Sequence, residues 1–127
     1  MTKATVLVVD DEFGLVELFE AILADEGYRV LTAINGKRGM EMLDKERTDL
    51  IFLDYMMPEM DGAATLIKIQ AEPAYGRIPV VIMSVLPESK VAERCSGYAR
   101  SMPKSFRVAE VKAVIERLLG VSADPFC

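Results

Sequence analysis

One feature of this 127-residue chain constrains its fold more than any other. Short runs of consecutive apolar residues alternate with stretches of helical spacing. Val6-Leu7-Val8-Val9 and Leu50-Ile51-Phe52-Leu53 are apolar on successive residues. Side chains of a strand project to both faces, so such runs fit strands that are covered on both sides. Between them, Leu15, Leu18, Phe19, Ile22 and Leu23 recur at helical intervals and predict one buried stripe. Val108, Val111, Ile115, Leu118 and Leu119 repeat that pattern near the end, with Gly120 as the stop.

The remaining elements follow the same alternation. Tyr28 to Ile34 reads as a second strand, after Gly27 as a helix stop and before Asn35-Gly36 as a turn. A short helix runs through Met40 and Leu43, and another carries Leu66, Ile67 and Ile69. Ile78 to Met83 reads as a fourth strand, Pro87 to Gly97 as a polar helix and Tyr98 to Met102 as a fifth strand. Right-handed crossovers then give an α/β fold of (βα)5 type, a doubly wound parallel five-stranded sheet. With strand order 2-1-3-4-5 the architecture is flavodoxin-like. Residues 1–120 are expected to form one domain, and 121–127 a tail or linker stub.

Composition narrows the chemistry. The chain has no histidine, which excludes a histidine-based triad or imidazole acid–base pair within it, and its two cysteines, Cys95 and Cys127, read as free thiols. Fifteen basic against twenty acidic residues give a net charge of −5, which argues against direct nucleic-acid binding. No apolar run reaches membrane length, so no membrane insertion and a cytoplasmic location are expected.

In open parallel sheets, chemistry collects at the carboxyl ends of the strands. Here those ends carry Asp10-Asp11, Asp54, Ser84 and Lys104. Each alone has a plainer explanation: a helix cap for Asp10-Asp11-Glu12, a loop acid for Asp54, a turn hydroxyl for Ser84, a solvated lysine for Lys104. Asp61 alone reads as a turn residue before Gly62, and the Met56, Met57 and Met60 group as loop packing. Together they place three carboxylates, a hydroxyl and an ammonium on one rim. Crowded carboxylates call for a cation or raised pKa values, and an all-oxygen donor set favours Mg²⁺. Asp54 could then act as a nucleophile toward a phosphoryl group, with Lys104 and Ser84 binding the phosphoryl oxygens.

Val8-Val9-Asp10-Asp11-Glu12, Asp54-Tyr55-Met56-Met57-Pro58-Glu59-Met60-Asp61-Gly62, Ile78 to Ser84 and Lys104 together resemble the response-regulator receiver family of two-component signalling. The resemblance spans essentially the whole chain. It implies that Asp54 accepts a phosphoryl group from a phosphohistidine on a sensor histidine kinase or phosphotransfer protein. It further implies that Asp11, Asp54 and the Met56 backbone carbonyl hold Mg²⁺, with Asp10 acting through a coordinated water. Ser84 would be the switch hydroxyl and Lys104 the phosphate-pairing cation. The chain is expected to be a stand-alone phospho-accepting receiver that signals to a downstream protein, and no enzyme beyond its own phosphorylation and slow dephosphorylation.

The chain departs from the family pattern at four positions. Val85 follows the switch hydroxyl where Ala or Gly is usual. Ser105 follows the lysine where proline is usual, and Pro103 precedes it instead. Ser101 occupies the position of the switch aromatic. These positions lie in or around the fourth helix and fifth strand, so an altered output face is expected. Two other readings remain. One is an interaction module that works without phosphorylation. The other is an aspartate-nucleophile phosphohydrolase, disfavoured because Asp10-Asp11-Glu12 lacks the Asp-x-Asp arrangement.

Overall fold

A computed structural model describes residues 4–56 and 61–120. In chain order the elements are β1 (Thr5–Val9), α1 (Phe13–Asp25), β2 (Arg29–Ala33), α2 (Gly36–Lys45), β3 (Leu50–Asp54), α3 (Gly62–Ala71), β4 (Val80–Ser84), α4 (Glu88–Ala92), β5 (Arg100–Pro103) and α5 (Val108–Leu119). All four strand pairings are parallel, and the order is β2-β1-β3-β4-β5.

Successive strand residues feed two separate cores. Leu7, Val9, Ile51, Leu53 and Ile82 pack with Leu43 of α2, Leu66 and Ile69 of α3 and Val91 of α4. Val6, Val8, Phe52, Val81 and Met83 pack with Phe19 and Leu23 of α1 and Val111 and Ile115 of α5. The two-residue period of a strand thus explains why β1, β3 and β4 show no polar alternation. Phe19 anchors the second core, with its ring 4.8 Å from that of Phe52 and 5.2 Å from that of Phe106.

Several sequence expectations need correction. Leu18 and Ile67 lie on outer helix surfaces and are exposed, whereas Val16 takes part in the buried stripe of α1. A helix turns about 100° per residue, so Ile67 next to the buried Leu66 points away from the sheet. Asn35 does not close a turn. Its side chain accepts a hydrogen bond from Arg38 N at 2.8 Å and caps α2. β4 begins at Val80 because Ile78 N donates into a turn to Tyr75 O and Pro79 has no amide to give. The fourth helix is shorter than expected. Among Glu88 to Ala92 only Val91 is buried, and the chain turns at Gly97 with φ +76°. β5 starts at Arg100, with Tyr98 packed against the first core. The Met57 and Met60 positions, like residues 121–127 and their expected tail, lie outside the described residues.

Candidate functional site

The ends of β1, β3 and β5 are fixed by the ladder continuing one residue past each of these strands. Asp10 N donates to Ala33 O at 3.0 Å, Tyr55 N to Met83 O at 2.9 Å and Lys104 N to Ser84 O at 2.9 Å. The side chains that leave from these points therefore inherit the sheet's rigidity. Asp10, Asp54 and Ser84 are almost wholly buried, while Asp11 is exposed.

Lys104 organises the buried acids. Its Nζ lies 3.1 Å from Asp10 Oδ2, 3.2 Å from Asp54 Oδ2 and 3.7 Å from Glu12 Oε2, and its side chain is 16% exposed. Asp10 Oδ1 accepts from Glu12 N at 2.8 Å, which turns the chain into α1. The capping reading of the acidic triplet holds in this limited sense: Asp10 ties the entry turn, and Glu12 at the N-cap makes no side-chain cap. Asp54 Oδ1 receives Met56 N at 3.4 Å, a long and weak bond.

The electrostatics are unbalanced. Burial first, and the neighbouring Asp10 charge second, push the Asp54 carboxyl from 3.8 up to about 6 despite the opposing Lys104 ammonium. For Lys104, burial acts to lower the pKa, but contact with Asp10 and Asp54 outweighs it and the net direction is up. Asp10, Asp11 and Asp54 each bring a carboxylate oxygen within 4.8 Å of the others. Among the described residues, the fully buried Asp10 Oδ2 and Asp54 Oδ2 take no well-directed hydrogen bond and face the ammonium at ionic range. Buried oxygens left short of donors, in an all-carboxylate set with excess negative charge, suit a hard divalent cation.

Asp10, Asp11, Asp54 and Lys104 come together at this rim, and Ser84 closes the neighbouring strand β4. Ser84 Oγ, at the end of β4, accepts from Leu86 N at 2.8 Å and keeps its own proton to donate. Met56 follows the acid by two residues and is 61% exposed. Val85, which follows Ser84, stands open to solvent. Ser101 pairs across to Ile82 in β5, with no aromatic ring at that position. No peptide bond among the described residues is cis.

Three features escaped the sequence reading. Gly62 approaches the end of β3 so closely that a Cβ there would lie 2.3 Å from Asp54 O, and its amide donates to Tyr55 O at 2.9 Å. Asp61 is the N-cap of α3, accepting from Ala64 N at 2.8 Å; a short acid before a helix carried that signal. Its other oxygen pairs with Arg94 Nη2 at 2.8 Å, a contact across 33 residues that no local pattern announces.

Comparison with known proteins agrees with this geometry. A family model described as "Response regulator receiver domain" matches residues 6–116. The chain is 31% identical over 129 residues to "Probable transcriptional regulator ycf27" of Cyanophora paradoxa, covering 98% of this chain and 52% of that protein. It is 28% identical over 126 residues to "Sporulation initiation phosphotransferase F" of Bacillus subtilis strain 168, covering 98% of this chain and 100% of that one. The chain thus spans about half the length of the first relative and all of the second. Its fold superposes with a TM-score of 0.86 and 26% identity on the receiver domain of sensor histidine kinase PA1611 from Pseudomonas aeruginosa PAO1, over 94% of this chain and 99% of that one. That crystal structure has a magnesium ion coordinated in its active site cleft.

Proposed function

This chain belongs to the response regulator receiver domain family, and on that premise we propose that it accepts a phosphoryl group on Asp54 from a phosphohistidine of a sensor histidine kinase or phosphotransfer protein. Family members are signalling modules that interact with such proteins, and they bind Mg²⁺ at an acidic pocket. The observation that carries the reading for this chain is the buried pair Asp10–Asp54 bridged by the Lys104 ammonium at 3.1 and 3.2 Å.

In the proposed transfer an Asp54 carboxylate oxygen attacks phosphorus, a P–O bond forms, and the P–N bond to the donor imidazole breaks. The imidazole leaves with its electron pair and takes a proton from solvent. Asp11, Asp54 and the Met56 carbonyl would hold Mg²⁺, with Asp10 reaching it through water. When bound, that ion supplies charge neutralisation for the acids and the transferring oxygens. Lys104, freed from one carboxylate as Asp54 becomes an acyl phosphate, pairs a phosphoryl oxygen by charge. Ser84 swings its hydroxyl from the Leu86 amide toward a second oxygen, and the chain shifts between inactive and active populations.

The output face is proposed to be unusual. Ser101 leaves β5 without the ring that would follow Ser84, and the five-residue α4 buries Val91 alone. A downstream protein contact through this face, rather than dimerisation and DNA binding, is the corresponding proposal, along with a cytoplasmic setting. Among the described residues no helix is long and apolar enough to cross a membrane. The deciding experiment is incubation with a small phosphodonor and Mg²⁺, read by intact mass. A gain of one phosphoryl group that Asp54→Asn abolishes is expected. No gain, or a gain that survives the substitution, overturns the reading.

A further inference from the structure

Tyr55 sits between two candidate ligand groups, the Asp54 carboxylate and the Met56 carbonyl, and its backbone is held on both sides. Its amide is tied to Met83 O and its carbonyl to Gly62 N, both at 2.9 Å. Its ring is buried, and the Arg94 guanidinium lies 6.0 Å from the ring centroid. Arg94 is in turn held by Asp61, whose other oxygen caps α3. Arg94 belongs to the turn that closes α4, where its amide donates to Val91 O at 3.1 Å. A second bridge fastens the same segment to α3: Gln70 Nε2 donates to Ser96 O at 2.7 Å. Tyr55, Met56, Leu86 and Arg94 line one groove beside the acidic pocket.

We propose that Arg94 is a positioning residue for divalent-cation binding. Through Asp61 and the Tyr55 ring it fixes the backbone that presents the Met56 carbonyl, and it thereby couples the placement of α4 to occupancy of the acidic pocket. The β5 position at Ser101 offers no aromatic side chain to carry that coupling, so Arg94 supplies a route on the opposite side of β4. Linkage makes the coupling reciprocal: whatever displaces the α4 turn weakens cation binding, and cation binding holds the turn. This inference rests on the cation site of the proposed function.

Charge alone and positioning predict opposite signs, which makes the test sharp. Removing a cation near a cation site should tighten binding through the field, whereas loss of positioning should weaken it. The experiment is Mg²⁺ titration of the full chain followed by backbone amide shifts. Wild type is compared with Arg94→Met, Arg94→Lys and the charge-balanced pair Arg94→Met with Asp61→Asn. Asn keeps the α3 cap, and the ion pair is exposed enough that folding should survive its loss. The expected result is roughly threefold weaker Mg²⁺ binding in Arg94→Met, a similar loss in the double variant, and partial recovery with lysine. Unchanged or tighter binding in Arg94→Met, or wild-type affinity in the double variant, overturns the inference and leaves the proposed function standing. Absence of Mg²⁺ binding in wild type, or binding that survives Asp11→Asn, overturns both.

Discussion

Replacing Asp54 with asparagine should make the protein more stable, because the carboxylate sits where folding penalises its charge. The folded-state pKa of about 6 lies above the ordinary 3.8, with burial as the main cause and Asp10 as the second. A raised carboxyl pKa means that the folded chain binds the proton more tightly than the unfolded chain. Its contribution to stability is therefore complete below about pH 4 and is lost as pH rises through about 6. A gap of roughly two pH units at 1.36 kcal/mol each amounts to about 3 kcal/mol at pH 7.5. Asparagine has nearly the same shape and no charge, but it gives the Lys104 ammonium a weaker partner. The net gain is expected to be about 1–3 kcal/mol, or roughly 4 °C in Tm per kcal/mol for a chain of this size. The assay is urea and thermal unfolding of both proteins at pH 7.5, 5 and 4 without divalent cations. The gap should be roughly halved at pH 5 and close to nothing at pH 4. Equal stability at pH 7.5, or a gap that does not shrink on acidification, would refute the reasoning.

Ser84→Ala should still take up phosphate from a small donor, yet show smaller amide-exchange changes around α4 and β5 on phosphorylation; loss of phosphorylation itself would assign the hydroxyl to the chemistry instead. The phosphorylated chain should lose its phosphate slowly in Mg²⁺ buffer, because Met56 and Leu86 offer no polar group to orient the attacking water. Met56→Asn should speed that loss, as measured by intact mass over time, and rapid loss from the wild type contradicts the argument. Gly62→Ala should cost about 1–3 kcal/mol in urea unfolding, since its methyl would come within 2.3 Å of Asp54 O and the backbone must move.

The central part of the molecule was legible because several local signals agreed there. Four successive apolar residues ending in an acid mark both β1 and β3, and the acids then fall at the strand ends by construction. Legibility faded where apolar residues outnumber the buried positions. Leu18 and Ile67 fit a helical spacing, yet the stripe facing the sheet was already filled by their neighbours. It faded again from Pro87 to Pro103, where few side chains are buried and boundaries depend on Gly97, Tyr98 and the register to Val81. The Arg94–Asp61 pair was out of reach for a different reason. Its partners are 33 residues apart, and their meeting depends on where a five-residue helix stops.

The ladder bonds that run past the strand ends have an evolutionary consequence. Asp10, Tyr55 and Lys104 are each bonded through their backbone amides to carbonyls at the ends of neighbouring strands, so the acidic rim is a property of the sheet edge and hardly of the helices. Mutational drift can then remodel α4 and the surface around it while the acidic rim stays in register. Such a division lets one chemistry persist while the surface around it changes, and in this chain α4 is held to the sheet by little, with Val91 its one buried residue.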